Sequence, residues 1–213
     1  MPDASARAFE VRHLQMGRAL FAAIAAVMIT FSGDHSAQVG GAVFGGFAVA
    51  TGLILLLSAW LVFRTGERSP AVLLGILTLV AGMIATLPAA RTVNGYFTVV
   101  LVWALVAGAA ELVIGVMGRR RGSAAAAESV FVGALTIVLG LALLFIPRGY
   151  TLDYYIDQAQ QSFTLTGITI GVGVFGGYAA IVAVYLGIAA FSPRPVAVPA
   201  AETADTDAAG GRA

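Results

Sequence analysis

Hydrophobic residues along this chain fall into six long stretches separated by short polar connections. The stretches run over residues 16–32, 39–63, 70–88, 95–117, 128–147 and 164–191. About 20 apolar residues in a helix that rises 1.5 Å per residue cross a hydrocarbon core of roughly 30 Å. Each stretch is therefore predicted to be a transmembrane helix. The predicted fold class is all-α, a polytopic membrane protein with six transmembrane helices.

Composition indicates that membrane lipid, rather than water, surrounds most of the chain. Hydrophobic residues make up 59% of the 213 residues, charged residues make up only 11%, and the mean hydropathy is +0.92. A soluble domain carries about 25% charged residues. Cysteine is absent, which excludes disulfides, thiolate chemistry and cysteine-ligated metals. The expected environment and first binding partner is thus the lipid bilayer.

Three segments follow from these stretches. Residues 1–15 form a polar cytoplasmic lead, residues 16–191 form the six-helix transmembrane domain, and residues 192–213 form a disordered cytoplasmic tail rich in Ala, Pro, Thr and Asp. A cleaved signal peptide is the alternative for the first stretch, but its apolar region should span only about 7–15 residues. Because five further stretches follow, we expect an uncleaved first helix.

The positions of the arginines predict the orientation, since positively charged short loops stay in the cytoplasm. With both termini inside, only Arg91 and Arg148 lie in outer loops. Ten arginines are then on the inner side: Arg7, Arg12, Arg18, Arg64, Arg68, Arg119, Arg120, Arg121, Arg194 and Arg212. All twelve basic residues are arginine, which suggests a GC-rich bacterial genome. The predicted location is the bacterial cytoplasmic (inner) membrane, with both termini cytoplasmic. The run 119–121 is interpreted as a topology anchor, and no nucleic-acid partner is expected.

Glycines recur seven residues apart within the predicted helices and mark an internal repeat. The third stretch matches the fifth at a constant offset of 58, and Val43–Ala48 reappears almost unchanged as Val174–Ala179. The simplest account is three tandem helical hairpins, of which the first is the most diverged because only Gly17 and Ile24 fit its pattern. Glycines on one face let helices approach closely in lipid. The predicted packing positions are Gly45, Gly52, Gly75, Gly82, Gly108, Gly115, Gly133, Gly140, Gly176 and Gly177.

Two other interpretations of the glycines stay open. They could be the hinges of a moving transporter, and a face that they leave uncovered could support a homo-oligomer. Pairs four residues apart, such as Gly173 and Gly177, add to that surface.

Glu111 is the ionisable side chain that lies deepest within a predicted span, between Gly108 and Gly115. A charge near the bilayer centre costs on the order of 3 kcal/mol or more, so such a residue usually faces the interior of the bundle. One hypothesis makes Glu111 a carboxylate that titrates or coordinates a substrate. The other places it near the cytoplasmic interface, where it pairs with Arg64, Arg119 or Arg120.

The outer connections hold the remaining candidate residues. Asp34 and His35 join the first two stretches, and a histidine beside a carboxylate could titrate as an external acid sensor; a simple polar turn explains them equally well. The segment 149–162 is predicted to be a short amphipathic surface helix that docks a partner protein or forms an aromatic belt. Its candidate residues are Tyr150, Asp153, Tyr154, Tyr155 and Asp157.

Enzymatic motifs are missing from the sequence. A phosphate-binding P-loop requires a lysine that the chain lacks, no Gly-x-Ser-x-Gly motif occurs, and no His/Asp/Glu cluster has metal-ligand spacing. The two histidines are expected on opposite sides of the membrane, which disfavours a zinc site. We expect no catalytic residues, no cofactor, no bound metal and no enzymatic activity.

These features together resemble the HdeD family, small six-helix bacterial inner-membrane proteins built on the DUF308 repeat. The resemblance rests on Gly75 and Gly82 before Pro88, on Gly133 and Gly140 before Pro147, and on the three-hairpin count over residues 16–191. It implies a non-catalytic membrane protein associated with acid or envelope stress, or a structural component of the membrane. The alternatives are a small transporter or channel that uses Glu111, and an accessory subunit of a larger membrane complex that docks through the outer loop Tyr150–Gln161.

Overall fold

The computed structural model describes residues 10–63, 68–123, 125–158 and 160–192. The first nine residues of the predicted lead, the tail from residue 193 and Arg64 lie outside the described residues. Six helices are long and apolar enough to cross a membrane, which confirms the predicted all-α polytopic architecture. They are α1 Val11–Thr30, α2 Ala37–Leu61, α3 Ser69–Thr86, α4 Val93–Arg120, α5 Ala126–Phe145 and α6 Gly167–Phe191.

The helix ends follow from local capping chemistry. The side chains of Ser36, Thr92 and Thr166 accept hydrogen bonds from backbone N–H groups in the first turns of α2, α4 and α6. α3 ends before Pro88, which starts a short 3-10 turn at Pro88–Ala90. α1 begins at Val11, five residues before the apolar stretch, so residues 11–15 of the predicted polar lead are helical. The earlier start places Arg18 two turns inside the helix.

The six helices close into a ring. The closest packing joins α2 to α3, α4 to α5, and α6 back to α1, while the helices within each predicted hairpin also contact one another. Short connections make successive helices from α1 to α5 antiparallel neighbours. The return of α6 to α1 gives α1 the same kind of partner as α3 and α5, so the bundle has three similar helix pairs around a common centre.

Burial patterns reveal a pseudo-threefold arrangement of these pairs. Positions 56 residues apart in α2 and α4, and 131 residues apart in α2 and α6, are buried alike; Phe47, Trp103 and Tyr178 form one such set. In α1 the buried alanines Ala19 and Ala26 occupy the places of Gly75 and Gly82. The assignment of Gly17 and Ile24 to these places was wrong by two residues, because Ile24 is exposed while Ala19 and Ala26 are buried.

Most of the predicted packing glycines lie where two helix backbones meet. A Cβ on Gly52 would come within 2.7 Å of the Leu79 backbone nitrogen, and one on Gly133 would overlap the backbone of Leu112. Gly177 is an exception, because a Cβ added there would meet no neighbouring atom within 4 Å. The packing prediction is wrong for Gly177: its neighbour Gly176 turns toward Ile29 of α1, and the next residue on a helix points about 100° away. The other contacts of this kind are at Gly45, Gly75, Gly82, Gly108 and Gly115, whereas a Cβ on Gly140 would meet the side chains of Leu105 and Ala104.

The segment between α5 and α6 is a β-hairpin. Strand β1, Thr151–Ile156, pairs antiparallel with strand β2, Gln161–Thr166, so the predicted amphipathic helix is wrong. A short apolar run fits helical and strand periods equally, and this run is rich in the aromatic and β-branched residues that favour strands. Tyr154 faces Phe163 across the pair with ring centroids 5.9 Å apart, and Gln160 turns the chain with a φ of 52°.

Candidate functional site

A cluster of five aromatic rings fills one part of the bundle centre. Edge-to-face contacts with centroid distances of 5.1 to 6.1 Å join rings from α2, α4 and α6. Trp103 and Tyr178 continue the cluster at 6.2 Å. The members are Phe44, Phe47, Trp103, Phe175 and Tyr178. Because these side chains are buried and interlocked, the cluster leaves little free space around the axis on its side.

Hydroxyl groups line the centre next to the rings. Trp103 Nε1 donates to Thr78 Oγ1 at 3.3 Å. Thr136 Oγ1 donates to the Val132 carbonyl at 2.7 Å and shares a second hydrogen bond of 2.9 Å with the Tyr178 hydroxyl. Thr78 and Thr136 occupy equivalent places in α3 and α5, 58 residues apart. α3 and α5 therefore each present a hydrogen-bonded threonine hydroxyl to the same region.

An ion pair lies on the other side of this hydroxyl region. Arg18 Nη2 of α1 is 2.8 Å from Glu111 Oε1 of α4, and the two side chains are only 13% and 8% exposed. The prediction that Glu111 pairs with Arg119 or Arg120 was wrong, because both follow Glu111 on its own helix and lie beyond its reach, whereas α1 presents Arg18 to it. Sequence reasoning missed Arg18 because the first span was placed from residue 16, which made Arg18 a flanking charge.

The ion pair breaks the pseudo-threefold pattern. The pseudo-threefold counterparts of Arg18 are Leu74 in α3 and Val132 in α5. Those of Glu111 are Leu55 in α2 and Leu186 in α6. All four of these substitutes are apolar. Close packing at these positions therefore needs no charge, and the charges are an addition to a repeated apolar design.

The aromatic, hydroxyl and ionic groups enclose one small cavity at the centre of the bundle. All six helices contribute to its wall, and the volume open to a water molecule is about 20 Å³. The only charged side chains among the lining residues are Arg18 and Glu111. This cavity, the ion pair and the surrounding hydroxyls form what is hereafter called the central site.

The predicted outer residues lie far from the central site in their local connections. Asp34 accepts hydrogen bonds from the backbone and the hydroxyl of Ser36, at 2.8 and 3.0 Å, in the turn that starts α2. His35 is half-buried in the same turn. The structure thus gives Asp34 a role in shaping the turn, and the acid-sensing hypothesis stays a prediction.

The tyrosine-rich candidates stand on the β-hairpin. Tyr150, Asp153, Tyr154, Tyr155 and Asp157 are all exposed. Asp153 accepts a hydrogen bond from Thr164 across the strands. At the base of the hairpin, the Gly167 N–H donates to the Tyr150 carbonyl at 2.9 Å, which holds the hairpin close to the start of α6.

Metal ligation finds no support in the part of the chain that the structure describes. Within residues 10–63, 68–123, 125–158 and 160–192, no three His, Asp or Glu side chains come together.

Comparison with known proteins adds no relative: no protein-family model, no curated protein and no solved structure matches this chain. The resemblance to the HdeD family stays a prediction, and functional inference rests on the geometry of the central site.

Proposed function

We propose that this protein is a non-catalytic membrane protein that passes a small polar solute through its bundle, with the Arg18–Glu111 pair as the gate. The observation that carries this proposal is the position of the pair. It lies at the centre of six membrane-length helices, where the equivalent residues are leucine or valine. An intramembrane ionisable residue is by default a candidate for a substrate or ion pathway.

Energetics favours a functional rather than a purely structural reason for the pair. A buried ion pair is often no more stabilising than well-packed apolar residues of similar volume. The pseudo-threefold counterparts of the pair are apolar both times, Leu74 with Leu186 and Val132 with Leu55. Because packing alone does not require the charges, a role in binding or gating accounts for them better.

In this proposal the structure represents the closed conformation of the bundle. The aromatic cluster occupies the centre on one side of the hydroxyl groups, and the ion pair occupies it on the other. Passage of a solute would require movement of both. The pair is suited to such a change because its two members belong to different helices, α1 and α4, and each helix could carry its charge away from the other.

Flux measurements with the protein reconstituted in liposomes test the proposal. Wild-type protein is expected to raise the permeability to protons, alkali cations or small uncharged solutes above that of empty liposomes. The double variant R18L/E111L, which copies the leucines of the other helix pairs, is expected to fold and to lose this flux. Val132→Leu is the matched control, since it changes the position equivalent to Arg18 without removing a charge.

Two results would contradict the proposal. One is wild-type protein that raises no flux in correctly folded proteoliposomes. The other is an R18L/E111L variant that conducts as well as wild type. A Glu111→Gln variant tests the carboxylate separately. If the flux no longer depends on pH in this variant, the dependence belongs to the Glu111 carboxylate.

We further propose the orientation in which both termini are cytoplasmic, in the bacterial inner membrane. It is supported by the arginine bias of the connections, and it puts the ion pair toward the cytoplasmic side, since Arg18 lies near the start of α1 and Glu111 near the end of α4. The association with acid or envelope stress that the HdeD resemblance implies is compatible with gated permeation. Comparing survival at low pH of cells with and without the gene tests it.

A second candidate function, docking to a larger membrane complex, is favoured by the hairpin. One face of the strands carries Leu152, Tyr154 and Phe163, each at least 40% exposed. Such a face is unusual on a two-stranded sheet, which is only marginally stable alone in water. Co-purification in mild detergent tests this candidate: Y154S/F163S should release a stoichiometric partner that Tyr155→Ser, on the opposite face, retains. Retention by both variants, or no partner with wild type, would count against docking.

The exposed face of α6 offers a separate route to a homo-oligomer. Gly173 and Gly177 stand four residues apart, with nothing within 4 Å of either, in the spacing that lets two membrane helices approach closely. Oligomeric state measured in lipid nanodiscs for wild type and Gly177→Leu tests this proposal.

A further inference from the structure

Three polar atoms that face the central cavity have no hydrogen-bond partner among the described residues. They are Arg18 Nε, Thr51 Oγ1 and Glu111 Oε1, and all three residues line the same cavity. Glu111 Oε1 is within ion-pair distance of Arg18 Nη2, but the two groups are not aligned for a hydrogen bond. The three atoms belong to three different helices, α1, α2 and α4.

Buried polar atoms are nearly always hydrogen-bonded in folded proteins. Within a bilayer the requirement is stricter, because no solvent reaches the hydrocarbon region to supply the missing partner. Neighbouring hydroxyls do not supply it either. Thr78 accepts from Trp103, and Thr136 bonds to Val132 and Tyr178. Neither hydroxyl lies within hydrogen-bond geometry of the three atoms. A molecule inside the cavity that all three residues line can satisfy the three atoms at once.

The size of the cavity limits that molecule to one heavy atom. A water molecule needs about 10–15 Å³ of space measured in this way and two to four polar partners. The cavity offers about 20 Å³ and three partners. An organic solute of several heavy atoms does not fit without movement of the walls.

The charges of the lining select an uncharged molecule. Arg18 and Glu111 are the only charged groups that face the cavity, and they already neutralise each other. A metal cation would lie against the guanidinium group, and a halide ion would lie against the carboxylate. Water has the matching set of donors and acceptors, because its oxygen accepts from Arg18 Nε–H while its hydrogens reach Glu111 Oε1 and Thr51 Oγ1.

We propose that the central cavity is a binding site for one water molecule, which bridges Arg18 Nε, Thr51 Oγ1 and Glu111 Oε1. This water hydrates the ion pair inside the membrane and links α2 to the contact between α1 and α4. The site stands independently of any flux through the bundle.

A high-resolution structure of the full chain in lipid tests the site directly. A single water within hydrogen-bond distance of all three atoms is the expected result. An empty cavity would overturn the proposal. So would a direct hydrogen bond between Thr51 and Glu111, or a metal ion in the place of the water.

Solid-state NMR in lipid bilayers supplies a second measurement. In protein labelled with ¹⁵N-arginine, the Nε–H resonance that is missing from R18L/E111L belongs to Arg18, and we expect it to receive magnetisation from water. Thr51→Val removes one of the three partners and should weaken or abolish this transfer. Thr78→Val is the control, because it removes a hydroxyl from the same cavity that is not among the three proposed partners, and it should leave the transfer unchanged. Equal loss with both variants, or no transfer in wild type, would overturn the proposal.

The two proposals fail in different ways. A bound water in a protein that conducts nothing would contradict gated permeation and leave the water site standing. Flux through a protein whose cavity holds no water would contradict the water site and leave gated permeation standing.

Discussion

Arg18 and Glu111 lie 2.8 Å apart, and the pseudo-threefold counterparts of both residues are leucine or valine. The two residues are separated by 93 positions in the sequence, and they meet only because α1 and α4 border the same central cavity. The ion pair joins two helix pairs, α6–α1 and α4–α5, and makes both chemically different from α2–α3. Several measurable consequences follow from it.

Removing one member of the ion pair should cost far more stability than removing both. Glu111→Leu alone leaves a buried, unpaired guanidinium group and is expected to lower the free energy of unfolding by about 3–5 kcal/mol. In R18L/E111L both charges are gone, and stability should equal or exceed that of wild type. Thermal unfolding in detergent measures both. Equal destabilisation by the single and double variants would show that the residues do not act as a pair.

Alanine at the helix contacts should weaken the bundle, whereas alanine at Gly177 should not. A Cβ on Gly133 would overlap backbone atoms of Leu112, which cannot move aside as a flexible side chain can. Gly133→Ala is therefore expected to lower the free energy of unfolding by about 1–3 kcal/mol.

Gly177→Ala is the matched control, because it adds the same methyl group where nothing lies within 4 Å. Its stability in the same unfolding measurement should be unchanged or slightly raised, since alanine favours helix over glycine. A large loss of stability at Gly177 would contradict the exposed position of that residue.

Engineered cysteines can distinguish the hairpin from a surface helix. Tyr155 pairs with Ser162 across the strands, and directly paired residues have Cα atoms about 4.5–5.5 Å apart, a distance that a disulfide spans. In a helix the same residues would be about 10 Å apart. Because the chain contains no natural cysteine, Y155C/S162C should form its disulfide without competing thiols on mild oxidation.

Y154C/S162C is the control for this experiment, because the hairpin places Tyr154 opposite Phe163 and on the other face from Ser162. Mass spectrometry of the oxidised proteins compares the two pairs. Efficient crosslinking of the control, or none in the facing pair, would contradict the strand register.

Labelling from outside the cell tests the orientation. Gly149 and Ser123 are exposed residues in two different connections of the bundle. Under the proposed topology, a membrane-impermeant maleimide should label Gly149→Cys in intact cells and should label Ser123→Cys only after lysis. The reverse pattern would place both termini outside.

Much of the architecture was predictable because its causes are local. Six membrane-length helices follow from apolar run length, and the glycine spacing pointed to most of the helix contacts, such as those at Gly52 and Gly133. The register of α1 was less accessible, since Ala19 and Ala26 take the place of glycines there and the polar residues before Met16 hide the start of the helix. The hairpin was missed because a six-residue apolar run does not distinguish the two periods.

The sequence by itself therefore determined the environment of the chain, the number of its helices and most of the faces by which they pack. These properties depend on hydrophobicity and residue size within one helix. Only the tertiary structure decided that α6 returns to α1, that Arg18 rather than Arg119 or Arg120 is the partner of Glu111, and that the pair shares a cavity with Thr51. Each of these depends on which distant helices become neighbours, and no periodicity within a single helix contains that information.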